Sequence, residues 1–220
     1  MTEAGSITTT WHGTQLTLLP DRALFMPEVG TLLVADVHLG KNASFRNRGI
    51  PVPDAVTDGD LQRLDHLLET TRAGTLVVLG DLVHDRSAMQ PRTYDQVRSW
   101  RNRHPGLRVQ LVPGNHDRHA DGLDELDIEI LGHRHHHGGV DLVHATTERE
   151  HRPTLGGHVH PCVRLVSARG DRLRTPCFWF EGNVGLLPAF GGFTGGHTMA
   201  MNSGVRAWAA GREEVVSLHD

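Results

Sequence analysis

The chain has 220 residues, 38% of them hydrophobic and 22% charged, with a formal charge of −4. That balance excludes a disordered chain, an apolar membrane protein and a strongly basic nucleic-acid footprint over the whole surface. Seventeen histidines, and a single lysine (Lys41) among 22 basic residues, are the unusual counts, and an excess of imidazole directs attention to metal.

The first residues, Met-Thr-Glu-Ala-Gly-Ser, have neither the basic nor the apolar region of a signal peptide. No apolar run approaches the roughly 20 residues of a bilayer span. A cytoplasmic location is expected. No repeat, linker or low-complexity tract divides the sequence, so one domain over residues 1–220 is expected.

In chain order, Gln15–Leu19 and Ala23–Met26 read as hairpin strands. Short apolar strands follow at Leu32–Ala35, Leu76–Leu79 and Val109–Val112. Leu61, Leu64, Leu67 and Leu68 mark a helix between the first two of these, and Tyr94, Val97 and Trp100 mark another before the third. That alternation is a βαβαβ unit with a parallel sheet. The second half is strand-rich, at Val140–His144, Val163–Ser167, Cys177–Phe180, Val184–Leu187, Val205–Ala209 and Glu214–Leu218. The fold class is therefore α/β, with two sheets packed face to face and helices outside. Cys162 and Cys177 form no C-x-x-C pattern and read as reduced, buried small hydrophobes.

Metal-type ligands stand where the strands end. The first strand runs into Asp36-Val-His38, the second into Gly80-Asp81-Leu-Val-His84, and the third into Gly114-Asn115-His116-Asp117. His144 closes a later strand, and Gly157-His158-Val-His160 follows. Open α/β sheets place their sites at carboxyl ends of strands. Carboxylate, imidazole and amide oxygen suit Mn, Fe, Zn or Mg. Seven such donors exceed what one tetrahedral ion uses. Two metals sharing a carboxylate account for them, and Asp81, on the central strand, is the natural bridge. Two ions about 3.5–4 Å apart clamp the attacking and leaving oxygens of a phosphoryl centre.

The ordered series D-x-H, G-D-x-x-H, G-N-H-D, strand-end His and G-H-x-H, over residues 36–160, resembles the calcineurin-like metallophosphoesterases. The resemblance implies a four-layer α/β/β/α sandwich. It implies that Asp36, His38, Asp81 and His160 hold one metal and Asp81, Asn115, His144 and His158 the other. His116 would assist at the scissile phosphate, with Asp117 orienting it. Leu39-Gly-Lys-Asn-Ala-Ser-Phe-Arg, Arg48-Gly-Ile-Pro-Val-Pro, Pro176-Cys-Phe-Trp-Phe and Pro188-Ala-Phe-Gly-Gly-Phe-Thr-Gly-Gly-His197 resemble the bacterial ligase-associated DNA damage response endonucleases (PdeM-type). That similarity implies a manganese-dependent phosphodiesterase, with zinc or iron as alternatives, cutting DNA with single-stranded character. A DNA ligase, an exonuclease and a helicase are the implied functional partners. The same chemistry on small diesters such as 2′,3′-cyclic nucleotides, or on phosphomonoesters, is the rival enzyme reading. A non-catalytic scaffold is the rival from another class, and the presence of His116 and all seven ligand positions counts against it.

Other residues carry open readings. His84 resembles the second active-site histidine of SbcD-type nucleases, or donates to a ligating carboxylate. After His144 the chain reads Ala-Thr-Thr-Glu rather than the family's His-Glu-Pro, so the nearby His133-Arg-His-His-His137 run competes for that ligand position. The run itself reads as a solvated loop. Lys41, Arg46 and Arg48 either contact a nucleic-acid backbone or end a solvated helix. Trp179 has core and base-stacking readings, and His197 has β-turn and site-mouth readings. Residues 86–118 carry a net +5 open to phosphate contact, and residues 119–150 a net −6 that reads as solvated.

Overall fold

The computed structural model describes residues 4–47, 49–50, 52, 55–85, 88–117, 123–166 and 169–219. Arg48 lies outside them. Seven strands form the first sheet in the order β1 (Ile7–Trp11), β2 (Thr14–Leu19), β3 (Ala23–Met26), β4 (Thr31–Val34), β5 (Thr75–Leu79), β6 (Arg108–Val112) and β7 (Ile128–Ile130). The β1–β4 pairings are antiparallel and the β4–β7 pairings parallel. Among the described residues three α-helices, α1 (Lys41–Asn47), α2 (Val56–Thr71) and α3 (Pro91–Arg103), fall between its parallel strands.

Both faces of β4, β5 and β6 are buried, as expected of parallel strands covered on two sides. Leu32, Val34, Leu76, Val78, Val109 and Leu111 pack on Leu61, Leu64, Leu67, Val97 and Trp100 of the helices. Leu33, Val77, Leu79 and Val112 point the other way, against Phe178, Phe180, Leu142 and Leu155 of the second sheet. Strand alternation in the sequence thus decides which residue meets helix and which meets sheet.

The second sheet runs β14 (His197–Thr198), β11 (Pro161–Val166), β12 (Arg172–Glu181), β13 (Val184–Leu186), β10 (Thr154–Gly156), β9 (Val140–Val143) and β8 (Arg134–His137). β15 (Val205–Ala210) also pairs with β12, and β16 (Val215–Ser217) with β15. Its outer face carries a third cluster, including Val163, Cys177, Trp179 and Ala207. Trp179 is in that core, donating Nε1–H to Ala200 O, so the core reading of its ring holds. The result is an α/β sandwich of two sheets. Among the described residues no α-helix covers the second sheet: between β13 and β15 the chain carries Gly191, Gly192, Gly195 and Gly196, which disfavour helix.

One expectation is corrected. Residues 134–137 are not a solvated loop but strand β8, paired antiparallel with β9. The polar run is sustained by partners: His136 Nδ1 lies 2.8 Å from Asp141 Oδ1, Arg134 bonds Asp141 and Glu150, and His137 Nε2 lies 2.8 Å from Thr31 Oγ1. The basic stretch is likewise engaged in part by structure, with Arg101 on Asp127 and Arg103 on Asp65. Among the described residues no helix is long and apolar enough to cross a membrane.

Candidate metal centre

Loops after β4, β5 and β6 leave the first sheet side by side and are stitched together by backbone bonds. Asp36 N–H donates to Gly80 O at 3.1 Å, and His38 N–H to Asp81 O at 2.8 Å. From the second sheet, His144 follows β9, while His158 and His160 lie between β10 and β11. Gly157 N–H donates to His144 O at 2.9 Å, and His158 N–H to Asp36 Oδ2 at 2.8 Å, so the two sheets' loops meet. Two glycines are fixed by this meeting. A Cβ on Gly80 (φ +75°) would strike the His144 ring, and one on Gly157 would strike the Asp36 carboxylate.

Six of the seven expected ligands form two groups of three, the donor atoms of each group within 4.8 Å of one another: Asp36, His38 and His160, and Asp81, His144 and His158. Asn115 joins the second group. In the first group, His160 Nε2 stands 3.5 Å from both Asp36 Oδ1 and His38 Nε2. In the second, His144 Nε2 stands 3.0 Å from His158 Nδ1, 3.1 Å from Asn115 Oδ1 and 3.5 Å from Asp81 Oδ1. His144, and none of the β8 histidines, is the imidazole brought to that position.

The donor chemistry fits a cation. His144 Nδ1 lies 3.1 Å from Leu79 O, and His160 Nδ1 lies 3.1 Å from Gly195 O, so a ring N–H on each is held by a carbonyl. In the neutral rings this turns a lone pair on Nε2 inward, the orientation that metal-ligating histidines take. The His144 lone pair then faces amide and carboxylate oxygens, which are acceptors as well. Buried acceptors facing acceptors are costly unless a positive charge sits between them. Asp36 Oδ1 is fully buried with no hydrogen-bond partner. Burial, reinforced by Lys41 and the neighbouring histidines, pushes His38 down to about 2, which keeps it unprotonated and able to ligate. Burial also opposes protonation of His160, but the Asp36 carboxylate outweighs it and holds that ring above its usual value.

His116 and His84 lie over this centre. His116 Nε2 is 3.9 Å from Asp81 Oδ2, and its backbone N–H donates to Asp81 Oδ1 at 3.0 Å. The His84 ring stacks on His116 (5.5 Å, 17°) and on Phe45 (6.0 Å, 14°), with Phe193 edge-on to Phe45. Phe45 and Phe193 were missed as site residues because isolated phenylalanines carry no spacing signal. Asp117 works on the backbone: its carboxylate accepts from Gly114 N–H at 2.8 Å and Val83 N–H at 3.2 Å, joining the second and third loops. Burial pushes the Asp117 carboxyl above its usual value despite these bonds. Lys41 begins α1, with burial lowering its ammonium. Arg46 Nη1 donates to Val52 O. His197 is exposed on β14, its N–H donating to His160 O.

A two-sheet α/β sandwich with carboxylate, amide and imidazole donors gathered at its strand ends defines a metal-dependent phosphoesterase. Residues 31–170 match the calcineurin-like phosphoesterase family model, and the chain belongs to that family. Among solved structures it is similar to nuclease MPE of Pseudomonas putida, at 40% identity and TM-score 0.83 over 97% of this chain and 100% of that one. The Escherichia coli phosphoesterase Yfce aligns at 13% identity and TM-score 0.42, over 84% of this chain and 96% of that one. A search of curated proteins finds no match.

Proposed function

We propose that the chain is a two-metal phosphodiesterase that cuts DNA, with a preference for single strands, in DNA repair. The observation that carries this reading is the pair of ligand groups facing inward from two sheets with His116 beside them. The 40% identity to a nuclease over nearly the whole chain supports a polynucleotide substrate. Asp36, His38 and His160 would hold one ion, Asn115, His144 and His158 the other, and Asp81 both. Divalent ions, manganese first, supply Lewis-acid activation and neutralise charge developing on the phosphoryl oxygens.

The chain's own residues do the rest. His116, partly exposed on the solvent side of Asp81, offers Nε2 to the leaving oxygen and gives it a proton. His84, stacked between Phe45 and His116, fixes the plane of that ring. Asp117 holds the loop that carries His116. In the cell the reading sets this protein beside a DNA ligase, an exonuclease and a helicase.

The test is closed circular single-stranded DNA with manganese. Linear product is expected from the wild type, and much less from duplex circles. His116→Ala should lose about 10²–10⁴-fold, the contribution of a positioned general acid, and Asp81→Ala should lose activity together with bound metal. Full activity in either variant would sink the mechanism, and turnover of bis-p-nitrophenyl phosphate without any DNA cleavage would sink the substrate.

A further inference from the structure

Arg22 and Arg174 line one cavity of about 170 Å³, walled by His160, Cys162, Gly195 and Gly196. It adjoins the metal centre through His160 but contains none of the other ligands. Arg22 donates through Nη1 to Ala189 O (3.3 Å) and Gly191 O (3.5 Å), and Arg174 through Nη1 to Gly196 O (3.2 Å). Neither has a carboxylate within ion-pair distance among the described residues. Asp21 and Asp60, the carboxylates acting on Arg22 from farther off, are engaged by Arg63. A guanidinium carries five donors, so most of their hydrogen-bonding capacity is left for a ligand.

The ribbon β11–β12 extends this charge outward. Arg164 stands directly opposite Arg174, and Arg172 lies two residues farther along β12 opposite Val166. Cross-strand partners share a face, as do residues two apart, so Arg164, Arg172 and Arg174 project from one side of the ribbon. Like charges directly opposed weaken a strand pair. An anion lying on that face reverses the effect.

We propose that Arg22 and Arg174 form a phosphate subsite distinct from the metal-ligand groups, taking a non-scissile phosphate of the substrate strand. Arg164 and Arg172 continue the strand's path along the ribbon. Guanidinium forks match phosphate oxygens bidentately, and the distance from His160 to Arg164 along β11 is about 13 Å. The inference rests on the nuclease reading for its substrate, but not for the anion seat itself.

Crystals of the metal-loaded protein soaked in tungstate test the seat. One tungstate is expected between Arg22 and Arg174, apart from any at the metals, and it should vanish in Arg174→Ala, an exposed position whose loss leaves the fold intact. An empty cavity in the wild type overturns the subsite. In parallel, the ratio of kcat/KM on a single-stranded oligonucleotide to that on bis-p-nitrophenyl phosphate should fall about tenfold in Arg174→Ala, mainly through KM. Tungstate in the cavity with that ratio unchanged overturns the assignment to a substrate strand, leaving a seat for a free oxyanion. Tungstate bound in a protein that cuts no polynucleotide overturns the nuclease reading instead.

Discussion

Asp36, His38, Asp81, His158 and His160 all occupy left-handed backbone, with φ between 49° and 66°. For a residue with a Cβ this costs roughly 1–2 kcal/mol, and five such residues at one site store strain where function is carried. The surrounding backbone bonds, such as His38 N–H to Asp81 O, hold it in place. Asp81→Gly and Asp81→Ala should both abolish metal-dependent activity, yet without metal the glycine variant should be the more stable by up to about 1 kcal/mol, because only glycine takes that φ freely. Urea midpoints check this, and an alanine variant of equal or greater stability would refute the strain. The residue types of the site were legible in the sequence because carboxylate, glycine and histidine recur at strand ends. The left-handed turns were not, since neither Asp nor His announces a positive φ. Arg22 and Arg174 were equally hidden, standing about 150 positions apart and meeting only through the glycine-rich loop.

Between elements, a buried carboxylate reaches from α2 to that loop. Asp60 accepts from Gly192 N–H at 3.0 Å and from Arg63 at 2.9 Å, yet burial lifts it to about 6 from 3.8. The folded chain therefore holds this proton more tightly than the unfolded chain. Its stabilising contribution is fully present below about pH 4 and is lost as the pH rises through 6, a change on the order of 3 kcal/mol. Replacing Asp60 with Asn should remove that slope, measurable as the difference between the variant's and the wild type's urea midpoints at pH 4 and pH 7. A difference independent of pH would contradict the assignment. Elements with a clear period were legible: Leu61, Leu64, Leu67 and Leu68 on α2, and the alternating runs of β4, β5 and β6. β8 was not, because Arg134 and its histidines give no apolar alternation, and the pairing depends on Asp141 and Glu150 farther along the chain. β7 and β10, with three residues each, are too short to show a pattern.

At the scale of the molecule, the two halves of the site belong to different sheets. Asp36, His38, Asp81 and Asn115 come from loops of the first, and His144, His158 and His160 from loops of the second, beyond the edge of an apolar interface built on Phe178, Phe180, Leu33 and Val77. Bound metal should therefore hold the sheets together. At a hundred times Kd it adds about 2.7 kcal/mol, or roughly 5–11 °C in Tm for a domain of this size. Stripping the ions with a chelator should lower Tm by that amount, and an unchanged Tm would mean that the ligands grip no ion in solution. The α/β class and the two-sheet packing were legible from periodicity. The division of the site between sheets was not, because it depends on β9 and β10 running parallel so that their ends point the same way. Thermodynamic linkage makes that division reciprocal: whatever factor the metals contribute to keeping the sheets docked, docking contributes equally to metal affinity. Substitutions deep in the interface, far from any ligand, would then appear first as weaker metal retention, before any change in the chemistry at phosphorus.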